Sequence, residues 1–135
     1  MQKITLFIIT LIFTILLDMV WLFCAKSLYI QNIGDLFHKV NGVLSPNLTA
    51  GFIVYLLLVA GIIFFVVPKA HGNYLLALGF GMFFGGIIYG VYDFTNFATL
   101  ANWPLQITII DTLWGMVLCG LSSVFSNWVI MHLDH

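Results

Sequence analysis

Residues 4–25 read ITLFIITLIFTILLDMVWLFCA, an apolar run framed by Lys3 and Lys26 and interrupted by one charge, Asp18. Hydrocarbon about 30 Å thick is crossed by roughly 20 apolar residues in an α-helix, so this run is long enough to span a membrane. A secretory signal starts similarly. Here, however, no small-x-small cleavage site follows, and the bulky Phe23 precedes Cys24, so an uncleaved anchor helix is expected.

Three more stretches satisfy the same length. The second covers residues 48–67, entered through Ser45-Pro46-Asn47 and left at Pro68-Lys69, with proline where helices begin or stop. The third starts at residue 74 and is expected to continue past its apolar run to about Asn96, giving 74–96. The fourth, residues 105–131, follows Pro104. Over the 135 residues 62% are hydrophobic and 7% charged, far from the roughly 25% charged residues of soluble domains. That balance excludes a soluble enzyme, a disordered chain and a nucleic-acid binder. With no Arg, no Glu and four scattered Lys, no phosphate-tracking stripe can be assembled. The expected fold is therefore an all-α integral membrane protein. It forms a single domain, a four-transmembrane-helix bundle in a lipid bilayer, with both termini on one side.

Orientation is nearly a tie under the positive-inside rule, with Lys3 and Lys69 on the terminal side and Lys26 and Lys39 on the other. His71, His132 and His135, against His38, tilt it toward cytoplasmic termini. Between the first two spans, Tyr29, Ile30, Ile33, Phe37 and Val40 recur at helical spacing among polar residues, which predicts an amphipathic helix lying in the interface. The alternative is an irregular loop interrupted by Gly34. Cys24 and Cys119 sit at different depths in oppositely directed helices, well beyond the roughly 7 Å limit of a disulfide, so free thiols are expected.

Asp18, Asp93 and Asp111 fall within or at the ends of the spans, where an ionisable side chain by default marks a function. At 1.5 Å per residue, Asp18 and Asp111 both come about 10 Å below the face opposite the termini, and Asp93 lies close to that same face. Helical spacing gives each carboxylate company. Gly81, Gly85, Tyr89, Tyr92, Asp93 and Asn96 share one face of the third span. Thr108, Asp111, Gly115, Cys119, Ser122 and Ser126 form a stripe on the fourth, and Thr14, Asp18, Trp21 and Ala25 one on the first. Such small and polar stripes are expected to point into the bundle. The glycines at 81, 85, 86 and 90 fit close packing within one bundle better than dimerisation. Trp103 and Trp128 read as interfacial anchors, whereas Trp21 and Trp114 follow Asp18 and Asp111 by three residues and would line one cavity with them. His132 and His135, at i and i+3, have metal-ligand spacing on an exposed chain end, which makes a poor site.

The run YGVYDFTNFATL at 89–100, Trp103-Pro104-Leu105, the pentapeptide DTLWG at 111–115, Asp18-Met-Val-Trp21 and Tyr29 to Gly34 together resemble the bacterial membrane-protein family known as domain of unknown function 2177. The resemblance covers nearly the whole chain. It implies a four-helix inner-membrane protein with Asp18, Trp21, Tyr89, Asp93, Asn96, Trp103, Pro104, Asp111 and Trp114 at the family's motif positions, and it brings no activity with it. The chain departs from the family pattern at Phe94 and Phe97, where smaller aliphatic residues are common, and in lacking a basic residue between Leu100 and Trp103.

The expected ligand-binding residues are Asp18, Trp21, Tyr89, Tyr92, Asp93, Asn96, Asp111 and Trp114, with Asp18, Asp93 and Asp111 as candidate metal ligands. The leading functional expectation is a protein that binds or transports a cation, a proton or a small amine-bearing ligand. A bound cation is the one cofactor these residues would call for. Four helices enclose little space, so transport would favour a homodimer joined through the glycine stripe or the lipid-facing surface. One competing class is a membrane-embedded lipid-modifying enzyme using an Asp pair as acid and base. The chain lacks a His-rich motif or a Ser or Cys nucleophile beside a His, so catalysis is not the favoured reading. The other class is an accessory or scaffold subunit without a ligand of its own.

Overall fold

The computed structural model describes residues 3–133. Four of its helices are long and apolar enough to cross a membrane: Lys3–Leu36, Leu48–Ala70, Tyr74–Thr99 and Leu105–Leu133. They contain all four expected spans, and each continues beyond at least one of the expected ends.

The first crossing departs most from expectation. Helix α1 runs Lys3–Ile33 without interruption, followed by a 3-10 turn at Gly34–Leu36. No glycine or proline intervenes between Ala25 and Ile33, so nothing stops the helix at the membrane face, and at about 1.5 Å per residue it projects well beyond the hydrocarbon. The separate interfacial helix expected after Lys26 is therefore corrected. Tyr29, Ile30 and Ile33 are helical as the outer end of α1, whereas Val40 lies in a small hairpin. In that hairpin β1 (Lys39–Val40) pairs antiparallel with β2 (Val43–Leu44), Lys39 opposite Leu44 and Val40 opposite Val43. Asn41 and Gly42 form its turn at φ 52° and 77°. An Asn-Gly pair adopts this left-handed turn at little cost, which makes it a strong hairpin signal.

The second crossing begins with α2 (Leu48–Gly61), capped by Asn47, whose side-chain oxygen accepts from Ala50 N at 3.0 Å. It widens into a π turn at Ile62–Val66 and ends in α3 (Val67–Ala70). Pro68 follows directly, and the wider turn accommodates a ring that would crowd the carbonyl four residues back. His71 and Gly72 reverse the chain with positive φ, and Asn73 caps α4 (Tyr74–Thr99) by accepting from Leu75 N and Leu76 N. Pro104 introduces α5 (Leu105–Leu133).

The tightest packing joins α4 and α5. A Cβ on Gly81 would lie 2.6 Å from Cys119 O, and one on Gly85 would lie 2.1 Å from Gly115 O. In return, Gly115 makes room for the Tyr89 ring, which a Cβ would meet at 2.1 Å. The glycine stripe thus lets two antiparallel backbones approach within the bundle, so it is not free to serve as a dimer contact. Helix α1 joins α5 through two buried hydroxyl pairs, Thr10 with Ser126 at 2.7 Å and Thr14 with Ser122 at 2.9 Å. Helix α2 lies along α1, whereas α4 meets the second crossing mainly at the π turn and α3. Toward the hairpin side, α2 and α4 are separated by a groove.

Replacing Gly85 with Ala should lower the unfolding free energy by about 2 kcal/mol, since backbone cannot move aside as a flexible side chain can. Gly79→Ala, where a Cβ meets nothing within 4 Å, should be neutral or slightly stabilising. Thermal unfolding of both variants in one detergent checks the pair.

Candidate functional site

Asp18 is buried on the inner face of α1, and both of its carboxylate oxygens are bonded. Oδ1 accepts from Trp114 Nε1 at 2.7 Å, and Oδ2 accepts from the Tyr55 hydroxyl of α2. The Trp114 ring stacks on that of Trp21, with centroids 4.6 Å apart and planes 7° from parallel. Trp21 Nε1 donates to the Tyr29 hydroxyl at 3.2 Å, and that hydroxyl donates to Asp111 Oδ1 at 2.6 Å. One network of hydrogen bonds and a stacked indole pair therefore links α1, α2 and α5. It depends on the helical extension of α1, because Tyr29 lies two turns beyond Trp21 and past the expected end of the span.

Asp93 closes the network from α4. It is 0% exposed and lies on α4 where that helix packs against α5, which carries Asp111. Among the described residues neither Asp93 oxygen has a hydrogen-bond donor, and the buried hydroxyl of Thr112, next to Asp111, is likewise unpartnered. Two carboxyls thus lie on packed helices, and among the described residues one phenol donates to Asp111 and none to Asp93. Two neighbouring carboxylates repel strongly in a low-dielectric interior, so the pair is satisfied only when a proton or another positive charge lies with it.

Two cavities meet at Asp111, and Asp93 lines neither of them. One, of about 780 Å³, lies under the hairpin between α1 and the start of α5, with Lys26 and His38 among its lining residues. The other, of about 460 Å³, is the groove between α2 and α4. Asp111 and Tyr92 line both.

The expected site residues divide accordingly. Asp18, Trp21, Asp111 and Trp114 belong to one bonded network. Asp93 adjoins it, and Tyr89 packs on Gly115 and lines the α2–α4 groove. Tyr92 is 58% exposed and meets Trp103 edge-on at 6.1 Å, at the rim of both cavities. Asn96 lines neither cavity and bonds through its backbone carbonyl to Leu100 N. Trp103 is not an exposed anchor. It is 8% exposed, packs with Ile33 and Ile107 and donates to Thr108 Oγ1 at 3.1 Å, because the projecting end of α1 covers it. Trp128 is exposed and stacked against Phe125 and His132, in keeping with an anchor.

The three aspartates do not form a common metal cluster. Among the described residues no group of three or more His, Cys, Asp or Glu side chains comes together. The reason lies between them: the Trp21–Trp114 stack and Tyr29 separate Asp18 from the Asp93–Asp111 pair. His135 lies outside the described residues, and His132 Nδ1 sits 3.0 Å from Trp128 O. Both Cys24 and Cys119 are free thiols. Tyr55 was invisible to the spacing argument. Its only signal is a phenol standing alone in the apolar run of the second span.

Tyr29→Phe should cost about 2 kcal/mol in stability, because it removes the hydroxyl that, among the described residues, donates to Asp111. Tyr55→Phe should cost about half as much, since Asp18 keeps its bond from Trp114. Unfolding of both variants in the same detergent gives the order.

No curated protein and no solved structure matches this chain. A family described as a predicted membrane protein, DUF2177, matches residues 3–128. With nearly its whole length matched and its four candidate spans in place, the chain belongs to the DUF2177 family of membrane proteins.

Proposed function

We propose that the protein binds one positive charge at the Asp93–Asp111 pair, near the membrane face opposite its termini, and that a protonated amine is the carrier that fits best. The observation behind this reading is Asp93: fully buried, with no donor to either oxygen among the described residues, on the helix packed against the one that carries Asp111. Buried polar atoms without partners are rare because each forfeits its hydration, and intramembrane carboxylates are commonly ligand or proton sites.

The surroundings favour an ammonium group over a divalent ion. A divalent cation here would need several waters to complete its oxygen shell, and the cavity walls are largely apolar. An ammonium needs three acceptors, and its carbon substituents suit those walls. Passage across the membrane is less well supported than binding. Between the site and the terminal face the interior is closed by the Thr14–Ser122 and Thr10–Ser126 pairs and by Val59 and Val129, and a separate cavity of about 490 Å³, lined by Leu6 and Ile63, lies near that face. If the protein lies in the inner membrane with cytoplasmic termini, as its sequence leads us to expect, the site faces outward.

The test is thermal unfolding of the purified protein with methylammonium, Na⁺, Mg²⁺, Ca²⁺, Mn²⁺ or Zn²⁺, beside Asp93→Asn, Asp111→Asn and Asp18→Asn. Methylammonium at about a hundred times its dissociation constant should stabilise wild type by about 2.7 kcal/mol. That stabilisation should vanish in the Asp93 and Asp111 variants and survive in Asp18→Asn if the latter folds. Indifference of wild type to every additive, or equal stabilisation of all variants, would contradict the reading.

A further inference from the structure

The geometry points to a single-chain amine amphiphile as the ligand, entering sideways from the bilayer between α2 and α4 with its ammonium on Asp111, the carboxylate that lines the groove, backed by the buried Asp93, and its alkyl chain in the groove. This inference rests on the reading of the carboxylate pair as an ammonium site and adds the ligand's apolar part and its route.

The groove is walled by Val54, Leu57 and Leu58 of α2 and by Phe84, Ile88 and Tyr92 of α4, and Asp111 reaches into it. Val54, Leu57 and Ile88 are themselves exposed on the bundle surface, so the opening faces lipid. It exists because α4 is drawn tightly to α5 by the glycine stripe, while α2 follows α1 and approaches α4 mainly at the π turn. A volume of about 460 Å³ holds an ammonium and a chain on the order of ten carbons, taking a methylene as about the ~30 Å³ of a water molecule.

Charge and solvation argue for this route over the larger cavity. That cavity has Lys26 among its lining residues, beneath the hairpin, which disfavours a cation arriving from the interface. A hydrated inorganic ion arriving through hydrocarbon would have to shed its water. An alkylammonium is already held at the membrane by its chain, so its charge starts at the headgroup level, about 10 Å above Asp111, and moves inward along the groove without leaving the bilayer. Asp111, the carboxylate that reaches the groove, supplies the charge complementarity that commits it to a cationic occupant.

The experiment compares methyl-, butyl- and octylammonium with neutral octanol, by thermal shift in one non-ionic detergent, on wild type, Leu57→Trp and Ile88→Trp. Both substitutions fill the groove from lipid-exposed positions and leave the carboxylates untouched. Affinity corrected for micelle partitioning should rise from methyl to butyl by about fourfold per methylene, following the transfer free energy of a buried CH₂, and should be higher again for octyl. Octylammonium should lose at least tenfold in either Trp variant, with methylammonium unchanged, and octanol should not stabilise. Methylammonium binding with no gain on lengthening, or octyl binding indifferent to both Trp substitutions, would overturn the lateral groove and leave the carboxylate site standing. Stabilisation by octanol equal to that by octylammonium would also overturn it. If no amine binds wild type, both readings fail together.

Discussion

Hydrocarbon supplies no hydrogen bonds, so every polar group carried into it must find a partner inside the protein. Most of this bundle follows that constraint. The hydroxyls of Thr10 and Thr14 pair with Ser126 and Ser122, Ser123 turns back to Cys119 O, and Asp18 takes donors from two other helices. Against such thorough pairing, the bare oxygens of Asp93 stand out. The same rule marks this carboxyl, with the Thr112 hydroxyl next to Asp111, as incomplete.

The nearness of Asp93 to the helix that carries Asp111 follows from the backbone approach of α4 to α5. Glycines at 81, 85 and 115 remove the side chains that would hold the helices apart, and Tyr89 settles over Gly115. One turn beyond Tyr89, Asp93 is then pressed against the helix that carries Asp111. The close packing that brings these carboxyls together also leaves α2 without a continuous neighbour in α4. Site and groove thus share one cause, and the second crossing is held to α4 chiefly through the π turn and α3.

Much of this was legible in the sequence. Length and apolarity mark the four spans because the bilayer imposes one thickness on every crossing helix, and depth counting placed three carboxylates toward one face for the same reason. Periodicity put Asp18 with Trp21, and Gly115 with Asp111, on inward faces. It carries depth and facing but no pairwise distance. The indole stack and Tyr29 that part Asp18 from the other two therefore could not be read, nor could the phenol of Tyr55 arriving from a helix without polar periodicity. Trp103 looked like an anchor because tryptophan near a membrane face usually is one, and the overhang of α1 that buries it depends on where a helix stops. The Asn41-Gly42 pair is itself a hairpin signal, and the helical spacing of apolar residues from Tyr29 to Val40 ends just before it.

The central claim is that Asp93 and Asp111 together hold one positive charge. Solid-state NMR on protein labelled with ¹³C at the aspartate side-chain carboxyls, with ¹⁵N-methylammonium bound in lipid bilayers, measures it through carbon–nitrogen dipolar dephasing. The account predicts that two of the five aspartate carboxyl signals dephase, with carbon and nitrogen within about 4 Å, and that these are the signals lost in Asp93→Asn and Asp111→Asn. Dephasing confined to Asp18 or Asp35, or none at any carboxyl, would contradict it.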